Sequence, residues 1–137
     1  IASTLGQFLQ GALPLRLRLP LGCVSLMLGV IPIAMGIYTQ SLALFITGAV
    51  IAGMGQGISF RAGMGAIASA SPIAEKAAVT SAFFVVAYIA ISVPVIGLGV
   101  MATVTSLTTT GISFAAVMGS LAALALVLLI RRERVEA

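Results

Sequence analysis

Histidine and aspartate are missing from this chain, and its only acids are Glu75, Glu133 and Glu136. Metal ligation by His or Cys clusters, paired carboxylates and Ser-His-Asp chemistry therefore have no raw material. We expect neither an enzyme nor a cofactor. The single cysteine, Cys23, lies in an apolar run without a partner in the chain. It reads as an inert buried thiol that says nothing about redox compartment. Charge is also scarce, at 7% of residues, where a soluble domain carries roughly a quarter. The net charge of +4 is split into short patches beside apolar runs, which argues against nucleic acid as a partner. No leader precedes the first apolar run, and the chain opens on Ile1, so a piece of a longer protein is expected.

What remains is oil-like. Of 137 residues 61% are hydrophobic, the mean hydropathy is +1.25, and the composition falls in the membrane class. At about 20 residues per spanning helix the length allows four or five spans. Gly48 to Gly65, reading GAVIAGMGQGISFRAGMG, organises the rest. So many glycines weaken a soluble helix, but in lipid they let helix backbones approach closely. Ala49, Gly53 and Gly57 recur at four-residue spacing and form one smooth face, which Arg61 and Gly65 continue; Gln56, Ser59 and Gly63 fall on a second. The stretch reads as a closely packed spanning helix that borders a polar interior.

In chain order, residues 1–13 resemble the last two thirds of a spanning helix, carrying Gln7 and Gln10. Pro14 and Pro20 bracket Arg16 and Arg18 in an expected basic turn. Residues 19–38 form a span in which Gly22, Gly29 and Gly36 repeat every seven residues, a stripe suited to a neighbouring helix. Pro32 removes one internal hydrogen bond and bends this span near Leu28. Thr39 to Ser41 is a neutral turn. Residues 42–66 are the next span, in which Arg61 either reaches for the interface or structural partners, or faces a solute path. Ser71 to Lys76 is a polar connection, with Pro72 at the start of the following helix. Residues 77–102 carry Ser81, Tyr88 and Ser92 at helical spacing, a stripe that either lines a cavity or bonds to neighbouring helices. Pro94, Gly97 and Gly99 interrupt its outer half, where a helix can bend around a pathway. Thr103 to Thr110 reads as a neutral turn, 111–130 as the final span with an all-round apolar lower half, and 131–137 as a basic tail.

Orientation follows from the cations. Arg16, Arg18, Lys76, Arg131, Arg132 and Arg134 fall on one side, the alternate turns carry none, and the positive-inside rule puts the six and the C-terminus in the cytoplasm. Three motifs carry less. Gly63, Gly65 and Ala68 fit a dinucleotide fingerprint without the strand it needs. Gly53 and Gly57 form a GxxxG that serves helix packing. The terminal RRER offers charge to anionic lipid, yet a topology anchor explains it fully and is the favoured reading.

The order of these parts resembles the C-terminal portion of a major facilitator superfamily transporter. It runs from the basic turn at Arg16 and Arg18 through GMGQGISFRAG, SPIAEKAAVTSAFFVVAY and SVPVIGLG to an apolar span and basic tail. In the connection, Pro72 and Lys76 match the family's proline and basic residue, and Ala77 stands where glycine is usual. The resemblance covers the whole chain, as the family's helices nine to twelve preceded by the end of helix eight. It implies an all-α polytopic bundle, part of a twelve-helix carrier that moves a small solute by alternating access. It also implies that missing N-terminal helices complete the path, and that the glycine-rich span and the Ser81 to Ser92 face border the cavity, with 19–38 and 111–130 peripheral. Candidate cavity residues are Gln56, Ser59, Arg61, Ser81, Tyr88 and Ser92; packing or bending is assigned to Gly53, Gly57, Pro32, Pro94, Gly97 and Gly99. Partners are membrane lipid and a small solute. Two other readings stay open: a self-contained small exporter that oligomerises, and a membrane scaffold whose glycine faces bind partner helices.

Overall fold

The computed structural model describes residues 1–136, with side chains described as far as Arg132. The side chains of Glu133, Arg134, Val135 and Glu136, and all of Ala137, lie outside the described residues, so most of the expected tail does too. Among the described residues all regular structure is helical. A short helix α1 (Ala2–Leu9) runs into a 3-10 turn (Gln10–Ala12); α2 (Leu15–Tyr38) and α3 (Leu42–Ala70) follow. A second 3-10 turn (Ile73–Glu75) leads into α4 (Lys76–Val104), and α5 (Leu107–Glu136) ends the chain. The last four helices are each long and apolar enough to cross a membrane. The chain has the make-up of a multi-pass membrane protein.

Two expected turns are shorter than the sequence implied. The basic turn at Arg16 and Arg18 is instead the first turn of α2: Pro14 takes the extended cap conformation, and Pro20 sits inside the helix, like Pro32 and, in α4, Pro94. Pro14 sacrifices little at the cap, because the first four amides have no internal acceptor in any case, whereas Pro20, the sixth residue of α2, forfeits one internal hydrogen bond. At the other end the connection contracts to Thr105 and Ser106. The Ser106 hydroxyl accepts from the Thr109 amide at 3.1 Å, capping α5, and Thr105 Oγ1 donates to the Met101 carbonyl at 2.9 Å, closing α4. A threonine and a serine that look like turn formers thus serve as caps on two helices that nearly meet.

The helices alternate in direction, and α3 is the hub between α1 and α2. Gly29 lies so close to Ala52, and Gly36 to Phe45, that an added methyl would run into α3 backbone. In return Gly48 faces the Gly29 carbonyl and Gly55 the Gly22 carbonyl. Ser25 Oγ donates to the Ile51 carbonyl at 2.9 Å across this seam. The opposite side of α3 takes α1, Gly57 packing on the backbone of Ser3 and Gly6 on the Met54 carbonyl. Backbone proximity of this kind is the main source of helix association where lipid removes the hydrophobic gain.

Outer elements attach less closely. Helix α5 packs along α2, Gly111 against Ile37 and Gly119 against Val30, with Thr110 and Ala115 buried. Helix α4 touches α3 and α5 only lightly, and none of its residues is buried. Its attachment to α3 centres on an aromatic cluster, Phe60 to Phe83 at 5.4 Å and to Phe84 at 6.0 Å between ring centroids. The cationic ends converge on one end of the bundle: Arg18 shares a hollow with Ser69 near the end of α3, and Arg132 shares one with Leu19.

Candidate functional site

Polar side chains meet where α1, α3 and α4 leave a gap. Gln7 comes from α1, Gln56 from α3 and Tyr88 from α4, with Phe60, Phe84 and Ile91 supplying apolar walls, around a cleft of about 240 Å³. On α4 the positions 84, 87, 88 and 91 are one helical face, which is why four of its residues reach the same space. Gln56 is held in place by Ser3, whose hydroxyl donates to Oε1 at 2.6 Å. The cleft offers amide donors and acceptors, a phenol and aromatic surface. None of its walls is a carboxylate or a cation.

Arg61 lies beside this cleft and is not one of its walls. Its Nη1 donates to the Gln7 carbonyl at 2.7 Å. Gln7 belongs to the last turn of α1, where the carbonyls carry the negative end of the helix dipole. The guanidinium therefore closes α1 and ties it to α3. Arg18 acts similarly one step later, its Nε donating to the Leu13 carbonyl at 3.0 Å.

The other expected cavity residues separate. Ser59 is three residues from Gln56, about 60° round the helix, and that rotation turns it toward Gly22 of α2. Its hydroxyl is buried without a partner. Gly63 stays on the Gln56 side, with open contact to Phe83. Ser81 and Ser92 are exposed on α4 and do not line this cleft.

Of the packing candidates, Gly53 meets Ala2 and Gly57 meets Ser3, both on the α1 side of α3. Pro32 and Pro94 lie within continuous helices. Gly97 and Gly99 have open space where a side chain would go, and Pro94 and Gly97 border a shallow hollow shared with Thr110 and Phe114 of α5.

Sequence reasoning does not single out Gln7, Phe60 or Ile91 as cavity residues. Gln7 carries a usable signal, an amide inside an apolar run, but its neighbours depend on how α1 docks. No family model, no curated protein and no solved structure matches the chain.

Proposed function

We propose that the chain is part of a secondary carrier of the major facilitator kind, with α1, α3 and α4 bordering a solute path and α2 and α5 bracing it from outside. The observation that carries this reading is the convergence of Gln7, Gln56 and Tyr88 on one open cleft in a chain whose helices are otherwise apolar. A polar cleft between spanning helices is expensive to keep unless something polar passes through or binds there. The neutral lining fits an uncharged or weakly polar solute with aromatic or apolar surface. In this reading the protein sits in the cell membrane with the C-terminus in the cytoplasm, and further helices of the same carrier complete the path.

Accessibility tests this without knowledge of the solute. In the full-length protein carrying Cys23→Ser, a cysteine at Ala87 is expected to react with a membrane-impermeant maleimide from either face of the membrane, in right-side-out and inside-out vesicles. A position sealed from both faces would sink the carrier reading and favour a scaffold. Where a solute has been found, Gln56→Ala and Tyr88→Phe should each slow its transport at unchanged expression. Normal transport by both would remove the cleft from the path.

A further inference from the structure

Gln10 is a buried amide that bonds to nothing. It is 6% exposed, its backbone carbonyl accepts from the Leu13 amide at 3.2 Å, and its side chain makes no hydrogen bond among the described residues. A buried amide without a partner is costly, and in folded proteins it usually marks a site where something else binds. Among the described residues the Ser59 hydroxyl alone is both unbonded and sealed from contact. The Gln10 amide therefore still meets open space. That space is a pocket of about 360 Å³ between the first 3-10 turn, the start of α2 and the last third of α3, within the range of about 300–1,000 Å³ that holds small ligands.

The pocket gathers positive charge and donors. Arg18 lines it, and the bond from its Nε to the Leu13 carbonyl at 3.0 Å fixes the guanidinium while the two terminal nitrogens keep their protons to donate. Leu15, the first residue of α2, is another wall. The amides that open a helix have no internal acceptor, and no side chain caps this one. Arg16 and Arg18 stand in the same first turn, at the positive end of the helix dipole, with no acid there to offset them. None of the walls is a carboxylate. The remaining polar wall, Ser69, spends its hydrogen on the Gly65 carbonyl at 2.8 Å, which leaves it only an acceptor.

We propose that this pocket binds a phosphate group. The terminal nitrogens of Arg18 donate to two of its oxygens side by side, the Gln10 amide donates to a third, and the uncapped start of α2 adds the field of its dipole. Phosphate suits the set better than a carboxylate, whose two oxygens the fork of one arginine already uses. A protonated oxygen or hydroxyl of the ligand suits Ser69. Binding joins the 3-10 turn, α2 and α3 at the cationic end, where both lipid headgroups and solutes of the adjoining water carry phosphate. The pocket shares no wall with the α1–α3–α4 cleft, so the proposal stands whether or not the chain is part of a carrier.

The test uses the full-length protein, stripped of lipid in detergent, and follows its thermal unfolding midpoint. One arm titrates inorganic phosphate against sodium chloride at equal ionic strength; the other titrates dioctanoyl phosphatidic acid against dioctanoylglycerol, which lacks the phosphate. A saturable rise of a few degrees is expected. A rise with inorganic phosphate identifies a soluble ligand, and a rise with phosphatidic acid alone identifies a lipid headgroup. Gln10→Leu should weaken the binding about tenfold and raise the midpoint of the ligand-free protein, because it removes an unpaired buried amide. Arg18→Gln should weaken it about a hundredfold, charge-assisted bonds being the stronger. If that variant does not fold, Arg18→Lys, which keeps the charge and loses the fork, should weaken binding about tenfold. No saturable shift in either arm, or a shift that Gln10→Leu or the Arg18 variant leaves unchanged, would overturn the proposal. So would a lower ligand-free midpoint for Gln10→Leu, since the amide would then be partnered within the full-length protein.

Discussion

Gln40 takes a backbone conformation that a side chain resists. Its φ of 54° is left-handed, and it follows the C-cap of α2 in a Schellman closure, with the Ser41 amide donating to the Gly36 carbonyl at 2.9 Å. Glycine is the usual occupant there, because a Cβ in this conformation costs about 1–2 kcal/mol. Gln40→Gly should therefore raise stability by about 0.5–1 kcal/mol once the looser unfolded chain is counted. Thermal unfolding of the detergent-solubilised protein should shift up by a few degrees, and an unchanged or lower midpoint would refute the argument. Two serines make a paired prediction. Ser25 bridges α2 and α3 through its bond to Ile51, so Ser25→Ala should cost about 0.6 kcal/mol, the average for such bonds in membranes. Ser59 holds no partner, so in detergent free of phospholipid Ser59→Ala should cost nothing or stabilise slightly. The sequence presents both as serines in glycine-rich spans. Only the rotation of each helix against its neighbour tells them apart, and a single sequence does not contain that rotation.

Glycine spacing shows the same division at the scale of elements. The heptad Gly22, Gly29 and Gly36 was readable as a seam because a stripe needs only one helix to define it, and in the structure it faces α3. What the stripe meets was not readable, nor was the difference between these glycines and Gly97 or Gly99. Gly29→Leu is expected to force α2 from α3, since its first side-chain atom already meets the Ala52 backbone. Misfolding or a loss of more than about 3 kcal/mol should follow, beyond ordinary overpacking. Gly97→Leu enters open space and removes a helix-weakening residue, so it should be tolerated and gain up to about 1 kcal/mol. Unfolding midpoints of the two variants in the same detergent decide the matter. Equal effects would mean that α4 is covered by protein as fully as α2. The helix ends were the least legible part: Pro20 and the threonines near residue 105 are turn-like as types, and their helical placement comes from caps and neighbours that local propensity omits.

For the whole molecule, the alternation of neutral and cationic ends sets a topology. The helices run antiparallel in succession, so the connection at Gln40 and the connection at Ser106 share one end, and Arg18, Ser71 and Arg132 share the other. Placing a cation on the outer face of a membrane opposes both the translocation bias and the inside-negative potential, which is worth about 2.3 kcal/mol per charge at 100 mV. The neutral connections should therefore face outward. With Cys23 replaced by serine, cysteines at Gln40 and Ser106 should react with an impermeant maleimide added to intact cells, whereas cysteines at Ser71 and Arg131 should react only after permeabilisation. Cys23 itself is 6% exposed, so the background is low even before replacement. The charge argument makes a further demand: adding arginines at Thr39 and Ser41 while replacing Arg16 and Arg18 with glutamine should weaken or invert this pattern. Unaltered labelling after that exchange would show that something other than the charges of this chain, such as preceding helices already fixed in the membrane, dictates its orientation.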